Sequence, residues 1–150
     1  MVMDLNPAPL REPVVLCVDD DACILASLRR LLRSEPYEVV TAPSAAQALA
    51  SLRSRPVEVV ISDERMPGTS GCELLAEVRQ RWPWVGRVIL TGHPGHSVMV
   101  RGFQAGIDSL IHKPWDDEAL KNTIRRLLFG GGRAAAGAME QEFDIGGEGG

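Results

Sequence analysis

Apolar residues recur along the chain at two spacings. Short runs rich in Val, Ile and Leu occur at 14–18, 37–41, 57–62, 87–91 and 108–112. Runs of this length that are β-branched and almost wholly apolar read as strands buried on both faces of a sheet. Between them apolar positions return every three or four residues, the spacing of amphipathic helices. Residues 22–33 place Ile24, Leu25, Leu28, Leu31 and Leu32 on one stripe, with Arg29, Arg30 and Arg33 off it. Pro43-Ser44 opens a helix over 44–53, with Ala46, Leu49, Ala50 and Leu52 as its candidate inner face. Thr69 or Ser70 caps a helix running to 81, with Leu74, Leu75 and Val78 inward and Trp82-Pro83 as its stop. Residues 96–104, with Val98, Met99 and Phe103, form a fourth helix closed by Ala105-Gly106. Asp116-Asp117-Glu118 begin a last helix that ends near 129.

This is a β-α unit repeated five times with short connections. Such alternation predicts an α/β fold, a doubly wound parallel sheet covered by helices on both faces. Right-handed crossovers leave few strand orders, and the flavodoxin-like order 2-1-3-4-5 suits five strands best. The expected organisation is a flexible leader over 1–13, one domain over 14–129, and a glycine-rich, disordered tail over 130–150 in which 134–143 has the composition for a short helix.

Composition narrows the classes of function. A length of 150 residues accommodates one domain. A net charge of -4 without a dense basic run argues against wholesale nucleic-acid binding. No run is apolar and long enough to span a bilayer, and 1–13 has no signal-peptide core, so the expected location is the cytoplasm. Cys17, Cys23 and Cys72 are odd in number and include no CxxC, so reduced thiols are expected. His93 and His96 lack a third ligand nearby and read as solvated loop residues.

The strand ends carry the candidate chemistry. The first strand ends in Asp19-Asp20, the third in Asp63, the fourth in Thr91 and the fifth in Lys113. Open α/β sheets bind ligands outside the carboxyl ends of their strands, so these side chains are expected at one edge. Carboxylates gathered there repel one another, and Mg²⁺ with oxygen ligands resolves the repulsion. Lys113 adds a positive charge for phosphate, and Thr91 a hydrogen-bond donor to it. With such charge compensation, the Asp63 carboxylate is placed to accept a phosphoryl group as an acyl phosphate.

Val-Asp-Asp at 18–20, Ser-Asp-x-x-Met-Pro-Gly at 62–68, Leu-Thr-Gly at 90–92 and Lys-Pro-Trp-Asp at 113–116 together resemble the receiver domain of two-component response regulators. The resemblance implies that Asp63 takes its phosphoryl group from a histidine kinase or a histidine phosphotransfer protein. It implies that Asp19, Asp20, Asp63 and the backbone carbonyl of Arg65 hold Mg²⁺, that Lys113 contacts the phosphoryl group, and that Thr91 moves toward it. A cis Lys113-Pro114 bond is implied too. Arg65 and His93, two residues past Asp63 and Thr91, are placed to slow hydrolysis of the acyl phosphate. One position departs: Leu110 stands where receivers usually carry Tyr or Phe, which puts the usual coupling to the fourth helix and fifth strand in question. The expected protein is no enzyme beyond its own phosphorylation and dephosphorylation. It signals to a downstream effector protein without nucleic acid or membrane, and a homodimer is compatible with it. Two other readings fit less of the pattern. One is a haloacid-dehalogenase-like phosphohydrolase using Asp19; the other is a receiver that docks independently of phosphorylation.

Overall fold

The computed structural model describes residues 11–130. Residues 1–10 of the leader expected over 1–13, residues 131–150 of the tail expected over 130–150, and the short helix expected at 134–143 lie outside the described residues. The elements are β1 (Val14–Val18), α1 (Ala22–Leu32), β2 (Glu38–Ala42), α2 (Ala45–Ser54), β3 (Val59–Ser62), α3 (Gly71–Arg81), β4 (Gly86–Thr91), α4 (His96–Ala105), β5 (Ser109–His112) and α5 (Asp117–Phe129). The strands form one parallel sheet in the order β2-β1-β3-β4-β5, as the alternation predicts.

Strand alternation sends successive residues to opposite faces, and each face has its own helical cover. Val15, Cys17, Val59, Ile61, Val88 and Leu90 pack with Leu28 and Leu32 of α1 and Leu120 and Ile124 of α5. Leu16, Val18, Val60 and Ile89 pack on the other side with Ala45, Ala48 and Leu52 of α2, Leu74, Leu75 and Val78 of α3, and Ala105 of α4. Every residue of β1, β3 and β4 is buried. That explains why these strands read as unbroken apolar runs rather than alternating ones.

Differences from the expected boundaries have local causes. The third strand begins at Val59, not 57, because Glu58 turns its carboxylate to the Val14 backbone N–H and to Arg11. Asp108 precedes β5 because its side chain accepts from the Arg87 backbone N–H. In α2 the inner face is Ala45, Ala48, Leu49 and Leu52, and Ala46 and Ala50 are exposed. Leu49 and Leu52 thus face inward as expected, and Ser44 caps the helix through the Gln47 N–H. In α4, Val98 is buried and Phe103 lies outward.

Caps set where the helices start, and therefore where the strand-end loops stop. Asp21 accepts from Cys23, and Asp116 from Ala119. Ser70 and Glu73 form a reciprocal capping box at α3. The first residue of α3, Gly71, packs directly on the backbone of Asp63, where a Cβ would collide with the Asp63 carbonyl oxygen. Glycine is thus required here by close approach rather than by an unusual φ. Far from that edge, the buried carboxylate of Glu35 takes both nitrogens of the Arg125 fork at 2.9 Å and ties the loop after α1 to α5.

Gly71→Ala is expected to lower stability by about 1–3 kcal/mol through overpacking. Urea unfolding of the variant against the wild type measures it, with a shifted midpoint and an unchanged slope.

Candidate functional site

Adjacent parallel strands bring their carboxyl ends together. Val18 pairs with Ser62, so Asp19 and Asp63 are the next residue along on neighbouring strands. The Asp63 N–H donates to the Val18 carbonyl at 2.9 Å and extends the ladder to the acid itself. Thr91 pairs with His112, which delivers Lys113 to the end of the adjacent strand. The Lys113 N–H donates to the Thr91 carbonyl at 2.8 Å. The Lys113-Pro114 peptide bond is cis.

Lys113 is the hub of the cluster. Its Nζ lies 2.9 Å from Asp19 Oδ2 and 3.0 Å from Asp63 Oδ1. Asp19 is buried, and its other oxygen accepts from the Asp21 N–H at 2.9 Å. Asp20 is exposed, while Asp63 is 8% exposed. Burial pushes the Asp63 carboxyl above the ordinary aspartate range; the Lys113 hydrogen bond pulls it back, and the charge of Asp19 adds to the rise. Burial draws the Lys113 ammonium down, but its hydrogen bonds to Asp19 and Asp63 outweigh that and hold it above its usual value.

One oxygen from each of Asp19, Asp20 and Asp63 lies within 4.8 Å of the others, close enough to share a cation. All-oxygen donors of this charge fit Mg²⁺, which takes a few carboxylates and keeps several waters. Among the described residues this is the cluster of acids, cysteines or histidines that meets that spacing; His93 and His96 take no part in one.

The other expected residues surround the acids. Thr91 is buried, and its Oγ1 accepts from the His93 N–H at 3.1 Å. Arg65 and His93 are exposed on the loops after β3 and β4. Leu110 is half-buried and packs on the α3 side of the core. Cys17 and Cys72 are buried, Cys23 is exposed, and all three are free thiols. Burial pushes the thiols of Cys17 and Cys72 up to about 12, so neither has thiolate character.

Sequence reasoning missed Glu64. An acid in a loop beside Pro and Gly reads as solvated, yet this side chain is 3% exposed. Its Oε1 accepts from the Cys72 N–H at 2.9 Å, and its Oε2 lies 2.7 Å from the Arg101 guanidinium. The partner lies in another helix, so no local pattern announces the pair. Arg87, buried within β4, was missed for the same reason: its guanidinium is satisfied by the carbonyls of Pro83, Val85 and Gly106.

Comparison with known proteins bears on the same region. A family model described as response regulator receiver domain matches residues 15–125. The hydrogenase transcriptional regulatory protein HoxA of Cupriavidus necator is 40% identical over 119 residues, covering 79% of this chain and 24% of that protein. The DNA-binding transcriptional regulator NtrC of Escherichia coli is 35% identical over 112 residues, covering 74% of this chain and 24% of that protein. The chain thus spans about a quarter of the length of the curated relatives it matches. Among solved structures, the signal receiver domain of an HD domain-containing protein from Pseudomonas fluorescens superposes with a TM-score of 0.77 at 38% identity, covering 79% of this chain and 95% of that one. Chemotaxis response regulator CheY4 of Vibrio cholerae gives a TM-score of 0.72 at 29% identity, covering 78% and 99%.

The raised pKa of Asp63 has a consequence for stability. A carboxyl whose folded value exceeds its unfolded one costs stability while ionised. That cost is complete above the folded value and absent below the unfolded one. Asp63→Asn is therefore expected to raise Tm at neutral pH by about 2–5 °C. The advantage should vanish as pH falls below the ordinary aspartate value of about 4. A pH series of thermal melts on both proteins measures it.

Proposed function

Because this chain belongs to the response regulator receiver family, we propose that residues 14–129 form a phosphoacceptor whose acceptor group is Asp63. The observation that carries this is the contact of the Lys113 ammonium with both Asp19 and Asp63, at 2.9 and 3.0 Å. That contact offsets the burial of a carboxylate at the end of a strand, where a phosphodonor meets it. In the transfer, an Asp63 oxygen attacks the phosphorus of a phosphohistidine on a histidine kinase or phosphotransfer protein. The phosphorus–nitrogen bond breaks, and the imidazole leaves with the electron pair.

The product is an acyl phosphate on Asp63. Lys113 is then free to turn from the aspartate to a phosphoryl oxygen, and the Thr91 hydroxyl donates to another. Asp19, Asp20, Asp63 and the Arg65 carbonyl are the groups that would hold Mg²⁺, which when bound offsets phosphoryl charge and the mutual repulsion of the acids. Water later attacks phosphorus, the bond to the carboxylate oxygen breaks, and inorganic phosphate departs. Arg65 and His93 flank this path and hinder the water. The phosphorylated face then engages an effector protein. Support for such a route comes from the relatives, which are transcriptional regulators. No described helix is long and apolar enough to cross a membrane.

Acetyl phosphate with Mg²⁺ is expected to add one phosphoryl group to the wild type and none to Asp63→Asn, read by intact-protein mass spectrometry. Chelation of the metal should abolish the addition, and Lys113→Ala should slow it about 10²-fold, as for loss of one charge-assisted contact at a reacting centre. An unmodified wild type would refute the assignment. Arg65→Ala and His93→Ala should each speed decay of the phosphorylated protein about 2–5-fold, the scale of an exposed charge or contact. Decay at the wild-type rate would remove both from the hydrolytic path.

A further inference from the structure

The Glu64–Arg101 pair joins the residue next to Asp63 to a helix whose N-terminus has no side-chain cap. Each of α1, α2, α3 and α5 begins with a side-chain cap, from Asp21, Ser44, Ser70 and Asp116 respectively. Helix α4 begins at Gly95 with no side-chain cap, no acid in its first turn and no base in its last. Its C-terminus is closed by the left-handed Gly106, but its N-terminus is the least stabilised of the five, since caps and dipole-compensating charges are what hold that end.

Glu64, by contrast, is held from several directions. Its carbonyl accepts from the Gly71 N–H at 3.0 Å, and its carboxylate from the Cys72 N–H at 2.9 Å. Its backbone N–H lies one peptide bond beyond Asp63 and helps pull the Asp63 carboxyl back toward its ordinary range. The remaining carboxylate oxygen takes Arg101 of α4 at 2.7 Å, and the same guanidinium reaches Ser97 Oγ one turn earlier at 2.9 Å. Glu64 is therefore joined to Asp63 by the peptide bond and to α4 by its side chain. The alternative path runs along β5, where Leu110 has no polar atom with which to answer a change at Thr91.

We propose that Glu64 and Arg101 are positioning residues that transmit the state of Asp63 to α4. This rests on the phosphoacceptor reading. A phosphoryl group adds roughly 1.5 to 2 negative charges. Glu64 is braced against the start of α3, so the compliant partner is the half-exposed Arg101 and the uncapped N-terminal part of its helix. Neither residue touches the reacting atoms; they act through the backbone between Asp63 and Glu64.

The test uses the full chain, labelled with ¹⁵N, with and without Mg²⁺ and beryllium fluoride as the phosphoryl mimic. Amides of 63–68 report the site, and amides of 96–105 report α4. In the wild type both sets should shift. In Arg101→Ala the site set should still shift while the α4 response is lost. Arg101→Lys, which keeps the charge, should restore part of that response. Glu64→Gln keeps an acceptor for Cys72 but removes the ion pair, and should lose the α4 response as Arg101→Ala does; it carries the test if the alanine variant does not fold. An unchanged α4 response in these variants overturns the proposal, as does an equal loss in the alanine and lysine variants. A wild type in which only the site set shifts also overturns it, while the phosphoacceptor reading stands. A wild type in which neither set shifts overturns both.

Discussion

Like charges forced together at the end of a parallel sheet are the constraint on which this structure turns. Neighbouring strands lie under 5 Å apart, and the register makes Asp19 and Asp63 successive to a paired couple, Val18 and Ser62. Backbone hydrogen bonding fixes that proximity, so the acids cannot relax it by moving apart. One ammonium, delivered by the fifth strand from across the fourth, answers both. The rest of the fold can be read as what makes this arrangement rigid. Two independent apolar layers clamp the sheet, and side-chain caps fix the starts of the helices that follow β1, β2, β3 and β5.

Much of this was legible in the chain because buried parallel strands leave a strong signature. Val14–Val18 and Val59–Ser62 are apolar at every position but the last of the second, since both faces are covered. The strand-end residues Asp19, Asp63, Thr91 and Lys113 were legible too, because an abrupt polar residue closing an apolar run marks the edge where such sheets do chemistry. The inner face of α2 was legible only in part: Leu49 and Leu52 mark it, but Ala is compatible with either face, and Ala45 and Ala48 are inward rather than Ala46 and Ala50. Alanine carries too little apolar surface for periodicity to speak.

Buried ions were the least legible feature. Glu64, Glu35 and Arg87 each pass for surface residues in sequence, and each is satisfied by a partner remote in the chain or by backbone carbonyls. A buried charge persists only when paired. Finding one therefore requires knowing which elements meet, and that is set by the sheet order. The order was deducible, but the pairs were not, since the chain offers many acids and bases whose reach is similar.

The close approach of Leu127, near the end of α5, to Gly86 at the start of β4 shows which way the last helix runs. It returns from the Lys113 end of the sheet to the opposite end, where β1 begins and Arg11 grips Glu58. The polypeptide thus enters and leaves the folded unit on the side away from the acids. A partner that meets the acidic rim therefore encounters neither Arg11 nor Gly130, the first and last described residues.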